Sequence, residues 1–182
     1  MKTAVLVLAL IIFSSAIWGQ DSSYRQLQVL TRELVIKDSL QLDKLSNGYK
    51  LDTANMKRFF APLISSGNNP FKNRFYTCLG RICDHENFDI FIVMEERRRA
   101  DSSGMNSTYM VTLKKTGEYI SSQKVAVSGT KKRSGYNIRS TLYRDNRVFI
   151  DSRIVTGEKV FEEAENYQIS KTGRFLLAEK DN

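Results

Sequence analysis

Three patterns of apolar and polar positions follow one another along the chain. Ala4 to Phe13 is an unbroken apolar run. From there to Pro70 the apolar residues come in short groups with no single period. From Phe71 onward the period falls to two, the signature of strands. Within the middle stretch, Tyr24, Leu27, Val29 and Leu30, then Leu34, Val35 and Ile36, suit either a strand pair or one helix. Ser46-Asn47-Gly48 predicts a turn. Met56, Phe59, Phe60 and Leu63 recur at helical spacing and predict a short helix over Asn55 to Leu63. Ser65 to Pro70 reads as a loop and as the best domain boundary.

The period-two region predicts an antiparallel meander. A strand spans Phe75 to Cys83, the tetrad Asp84-His85-Glu86-Asn87 turns, and the apolar run Phe88 to Met94 follows. Arg97 to Asn106 reads as a charged loop. Tyr109–Leu113 and Tyr119–Val127 flank Lys114-Lys115-Thr116-Gly117, a hairpin signature with glycine at the bend. Tyr136–Tyr143 and Arg147–Val155 flank Arg144-Asp145-Asn146 as a second hairpin. Val160–Phe161 and Tyr167–Ile169 lead through Ser170-Lys171-Thr172-Gly173 into Arg174–Ala178 as a third. The segments around Thr116-Gly117 and Thr172-Gly173 echo each other, which matches shared turn chemistry. The expected fold is mainly β, an antiparallel meander of partial-propeller or sandwich type, with a small N-terminal segment readable as helical. A sheet covered on one face would bury Phe91, Val93, Val111, Leu113, Ile138, Leu142, Phe149 and Ile169.

Lys2, the apolar run and the small residues Ser14 and Ala16 have the layout of a secretory signal peptide. Cleavage falls after Ala16, with Gly19 or Gln20 as alternatives. The run is well short of the roughly 20 residues of a membrane span. The organisation expected is therefore a signal peptide over 1–20, an N-terminal segment over 21–70 and a β domain over 71–182. Export to the periplasm or the extracellular space places the chain where disulfides form. Yet a continuous strand from Phe75 to Cys83 holds the Cα atoms of Cys78 and Cys83 roughly 16 Å apart, beyond the reach of about 7 Å that a bridge allows. A Cys78–Cys83 disulfide needs a hairpin at Leu79-Gly80-Arg81, and the continuous strand is the favoured reading.

The chain has 182 residues with 41% apolar and 26% charged, the proportions of a folded protein. The net charge is +8, and +7 once residues 1–20 are removed. Arg97-Arg98-Arg99 and Lys131-Lys132-Arg133 concentrate that surplus in predicted loops, with Tyr109, Tyr119, Tyr136 and Tyr143 on neighbouring strands as stacking faces. Such a surface attracts anions, among them anionic polysaccharide and lipopolysaccharide phosphate. Loop charge that prevents edge-to-edge association is the competing explanation.

His85 is the only histidine, which removes histidine-rich metal sites and most catalytic triads. Its neighbours Cys83, Asp84 and Glu86 lie on one turn, where adjacent residues rarely converge on an ion. Glu95-Glu96 and Glu162-Glu163 are adjacent in strands and point to opposite faces, whereas hydrolysis by paired carboxylates needs them opposed across a substrate. Ser103-Gly104 and Ser128-Gly129 lack the nucleophile elbow. No cofactor, metal or catalytic residue is assigned.

Leu79-Gly80, the strand Ile90–Met94, Tyr109-Met110-Val111-Thr112 with Lys115 and Gly117, and Tyr167-Gln168-Ile169 with Gly173 and Phe175 together resemble small exported β-rich proteins of Bacteroidetes-type bacteria. The resemblance covers Phe75 to Ala178. It implies a β-meander or partial propeller in the envelope and no activity. The expected function is a non-enzymatic exported binding or interaction protein of the cell envelope, acting on an anionic glycan or a protein partner. An inhibitor of a host or competitor hydrolase, and a cell-wall or polysaccharide hydrolase, are the alternatives.

Overall fold

The computed structural model describes residues 22–64, 66, 68–98, 104–131 and 134–178, with Lys131 described by its backbone alone. The signal-peptide reading of residues 1–20 lies outside them. Helix α1 (Ser22–Leu30), strand β1 (Ser39–Gln41), strand β2 (Tyr49–Leu51) and helix α2 (Thr53–Phe59) precede eight further strands. These are β3 (Arg74–Ile82), β4 (Phe88–Arg98), β5 (Gly104–Lys114), β6 (Tyr119–Lys131), β7 (Ser134–Tyr143), β8 (Arg147–Thr156), β9 (Lys159–Ile169) and β10 (Phe175–Leu177). Strands β2 to β10 form one sheet in chain order, and β1 joins it on β7. Every strand pairing is antiparallel, and the two ends of the path do not meet. The protein is a mainly β antiparallel meander.

Turn chemistry sets the hairpins. Gly117 (φ 91°) and Gly173 (φ 81°) occupy the left-handed region in two turns with the same bonds. Gly117 N–H donates to Lys114 C=O at 2.8 Å, and Gly173 N–H to Ser170 C=O at 2.9 Å. The echo between the two segments is thus a shared turn. A Cβ at Gly117 would also lie 2.9 Å from the Tyr24 ring, so the glycine admits the helix that covers it.

The sheet is not covered on one face throughout, as its alternation predicted. Strands β3 to β5 are covered on both. On one face, Tyr24 and Leu27 of α1 and Met56 and Phe59 of α2 pack on Phe91, Val93, Val111 and Leu113. Asp52 caps α2, its carboxylate accepting from the Asn55 N–H at 2.7 Å. On the other face, Ile90, Ile92 and Met110 pack against Leu142, Val148, Ile150 and Ile169, so the later strands lie across the earlier ones. The Thr112 hydroxyl donates to Gly173 C=O at 2.6 Å and fastens the last hairpin to β5. Residues 22–64 therefore share the sheet and its core with the residues after Pro70. Six of the eight predicted core residues are buried; Ile138 is half-buried at the margin of the second core, and Phe149 is half-buried because it alternates with Val148 and Ile150, which take the core face of β8.

Strand β3 runs through Cys78 to Ile82 without a turn at Gly80, Cys83 follows directly after its end, and the two cysteines are unbridged. It carries a bulge between Cys78 and Gly80. Cys78 faces the helices, while Leu79 and Ile82 both face the second core. The extra residue changes the phase of the strand, which is what bulges do. Arg81 is thereby turned to the helix side. The predicted loop from Arg97 to Asn106 is shorter than expected, because β4 continues to Arg98 and β5 starts at Gly104. The two pieces around Val160 and Tyr167 are one strand, β9, entered through a turn at Gly157 (φ 61°).

Candidate functional site

The register brings the two basic segments to one end of the sheet. Arg97 pairs with Met105, Met105 with Gly129, and Lys131 lies two residues beyond Gly129. Only strand β5 separates them. Arg99, Lys132 and Arg133 lie outside the described residues. The arginines here already serve internal partners. Glu95 is buried and accepts from Arg74 at 2.7 Å, Arg97 at 3.3 Å and the Tyr109 hydroxyl at 3.4 Å. Arg98 binds Glu96 at 2.6 Å and lies 4.5 Å above the half-exposed Phe75 ring. The adjacent acids Glu95 and Glu96 are thus counter-ions to arginine.

The four tyrosines divide. Tyr109 and Tyr119 pack against the first core, and the Tyr119 hydroxyl binds Ser122 at 2.8 Å. Burial, aided by the charge of Glu95, pushes the Tyr109 hydroxyl up to about 12, so it remains a donor at any ordinary pH. Tyr136 and Tyr143 are half-exposed, and the Arg147 guanidinium lies 5.2 Å over the Tyr143 ring. Tyr109 and Tyr119 are half-buried as well, and the Lys124 ammonium lies 5.6 Å over the Tyr109 ring.

A larger recess opens at the same end of the sheet. Strands β6 and β7 pair only from Val127–Ile138 to Lys131–Ser134; below that they part, and β1 takes the free side of β7. The segment Asp43–Asn47 spans the gap and closes a cleft of about 610 Å³. Asn106, Ser128 and Asn137 stand opposite one another on β5, β6 and β7, so one row of amides and a hydroxyl crosses it. Lys44 and Arg139 add two cations and Asp43 one carboxylate. Arg139 is oriented by its own Nε bond to the Asn137 side chain at 3.2 Å. A second hollow of about 340 Å³ continues the trough over Asp151, Arg153 and Glu162. The arrangement offers fixed donors and acceptors on strands, with positive charge at two points. It suits a hydroxyl-rich anion.

None of these residues was singled out from the sequence for this role. The trough is built from single Asn, Ser and Arg residues on separate strands, and such residues carry no local signal.

A third polar cluster lies under α1. Asp89 is fully buried, and Lys115 (2.7 Å), the Tyr24 hydroxyl (2.7 Å) and Gln28 (2.8 Å) donate to its carboxylate. Arg81 approaches it at 3.5 Å. Burial pushes the carboxyl up, but the bonds from Lys115, Tyr24 and Gln28 and the Lys115 charge outweigh it and hold it below the usual carboxylate range. This cluster ties helix to sheet, and its donors occupy both oxygens of the carboxylate. His85 stacks on Phe88 with centroids 4.3 Å apart, and burial lowers its affinity for a proton. Among the described residues no group of His, Cys, Asp and Glu is placed to hold a metal ion. Glu162 pairs with Arg153 at 3.3 Å rather than with another acid.

No family model, no curated protein and no solved structure matches this chain.

Proposed function

We propose that this chain is an exported, non-enzymatic binding protein of the cell envelope that holds an anionic, hydroxyl-rich glycan in the polar trough. The observation that carries the reading is the row Asn106, Ser128 and Asn137 beside Lys44 and Arg139. Three side chains on adjacent strands sit about 4.8 Å apart, a spacing on which successive hydroxyls of a saccharide find partners without bending the sheet. The apolar share of the wall, with Met94 and Ala126, gives the flat face of a sugar ring a place to rest. The carboxylates of the trough, Asp43, Asp151 and Glu162, are interspersed with Lys44, Arg139 and Arg153, and Glu162 is paired with Arg153 at 3.3 Å. A mixed row of this kind supports the binding reading. Export rests on the signal-peptide layout of residues 1–20 and on the Bacteroidetes resemblance.

Heparin is a suitable probe, because it is both anionic and hydroxyl-rich. Binding should weaken steeply with salt. The double substitution Lys44→Ala with Arg139→Ala should lower affinity at least tenfold, as charge-assisted bonds are worth about 1.5–3 kcal/mol each. Asn137→Ala should give a smaller loss. Changing Arg97 and Arg98 to Ser should matter less than the double change, since both side chains already bind glutamates. Undiminished heparin binding by the Lys44/Arg139 variant would remove the trough as the site.

A further inference from the structure

The first half of strand β9 leaves the body of the protein, and among the described residues nothing covers either of its faces. Its first six residues, Lys159 to Ala164, are all exposed, whichever face they occupy. On its inner side it pairs with β8 in unbroken register from Gln168 to Lys159. On its outer side β10 pairs only with Tyr167–Ile169, and Ala178 N–H reaches Asn166 C=O at 2.8 Å. That bond fixes the direction of every backbone group along the strand. Asn166 points outward, so by the period of two the N–H and C=O of Ala164, Glu162 and Val160 point outward as well. Among the described residues these groups have no strand to pair with.

Such an edge is normally blunted by a proline, a bulge or a lysine row. Here there is no proline and no bulge, and the side chains are of a different kind. Val160 is 50% and Phe161 57% exposed. Three glutamates, Glu162, Glu163 and Glu165, stand against Lys159 on the strand itself and Arg153 of β8, which pairs with Glu162 at 3.3 Å. An acidic edge on a chain of net charge +8 selects its partners by charge. A second copy is disfavoured, because antiparallel overlap of the outward groups of Val160, Glu162 and Ala164 with those of another copy sets Glu162 against Glu162, and like charges placed opposite destabilise a strand pair.

We infer that the outer edge of β9 is a docking strand for an extended polypeptide segment of another protein, one that alternates apolar residues with Lys or Arg. Backbone bonds to Val160, Glu162 and Ala164 would supply affinity and register, and the glutamates the choice of a basic partner. This surface adjoins the glycan trough at Glu162, which lines the trough's second hollow, but the inference does not rest on the glycan reading.

A synthetic heptapeptide alternating Lys and Val tests this on the intact chain, followed by fluorescence anisotropy and by hydrogen exchange of individual amides. Saturable one-to-one binding is expected, with exchange slowed at Val160, Glu162 and Ala164, and no binding of the matching Glu-Val peptide. Ala164→Pro removes an outward N–H that β8 does not use, a position where edge strands tolerate proline. It should leave the melting temperature nearly unchanged and weaken the peptide at least tenfold. Replacing the three glutamates by Gln should weaken it about as much while leaving the backbone groups in place. Equal binding to the proline variant, failure of the Lys-Val peptide to saturate, or concentration-dependent protection of the same amides without peptide would each overturn the inference.

Discussion

Strands β4 and β9 are both eleven residues long and both lie in one antiparallel sheet, yet they live in opposite environments. From Phe88 to Val93 every residue of β4 is buried, because α1 and α2 cover one face and the later strands the other. From Lys159 to Ala164 every residue of β9 is exposed. The difference is one of position along the path. A sheet that folds across itself covers its middle twice, and the strands that extend past the overlap are covered by nothing. Stability is therefore concentrated in β3 to β5, while β8 and β9 carry surface that is free for recognition. The trough lies between these extremes, where the two halves part.

The largest test of that division compares two phenylalanines. Phe91 is completely buried against Tyr24 and Phe60, with ring centroids 6.1 and 5.9 Å away. Phe91→Ala should cost about 3–5 kcal/mol, transfer and cavity terms together. Phe161, over half exposed, should cost less than about 0.5 kcal/mol on the same change. Urea unfolding of the two variants measures both. Comparable losses would mean that β9 is packed after all.

The same contrast explains what could be read from the residues alone. The hairpins at Gly117, Asn146 and Gly173 were legible, because a left-handed turn leaves a mark in the residue type. Met56, Phe59, Phe60 and Leu63 gave α2 and its short extension, since all four point into one core. The strand pairs around Tyr109 and Tyr143 followed from alternation. The hairpin at Gly157 was not legible: Val160 to Asn166 has neither face buried, so no alternation was written into it, and β9 looked like two fragments. The bulge at Leu79 and the doubling of the sheet depend on which residues meet, not on their order. Asp89 lies inside the run Phe88 to Met94, which reads from the residues as an apolar strand, and only its three donors reveal a buried charge. The trough drew on β5, β6, β7 and the segment after β1. No spacing in a linear sequence marks such a set.

The two strands also carry carboxylates of opposite character. Asp89 on β4 is buried among Lys115, Tyr24, Gln28 and Arg81, whereas Glu162 on β9 meets Arg153 in solvent. Asp89→Asn leaves Lys115 and Arg81 without their anion and should cost on the order of 3 kcal/mol at pH 7. Glu162→Gln should cost well under 1 kcal/mol. The pH dependence has a definite sign. The folded Asp89 carboxyl lies below its unfolded value, so its contribution is complete above about pH 4, the unfolded range, and disappears as the pH falls through the folded value. The gap between the parent chain and Asp89→Asn should therefore narrow at pH 3. A gap of constant size would show that Asp89 acts through shape and not charge.

The smallest effect expected is chemical and leaves stability untouched. Cys78 sits within the doubly covered part of β3 and is 1% exposed, and burial pushes its thiol up to about 11. Cys83, just past the end of β3, is half-buried; partial burial and the neighbouring Glu33 raise its thiol less. The thiolate is the reactive form, so at pH 8 a disulfide reagent in excess should modify Cys83 slowly and Cys78 not at all. Unfolding in urea should release the second equivalent. If both react together in the folded chain, the centre of the sheet opens far more readily than its burial implies, and the contrast with β9 loses its meaning. If neither reacts until a reductant is added, the two thiols are bridged, and β3 must turn at Gly80 instead of running straight to Ile82. One equivalent before unfolding and one after is the result that keeps β3 continuous and closed.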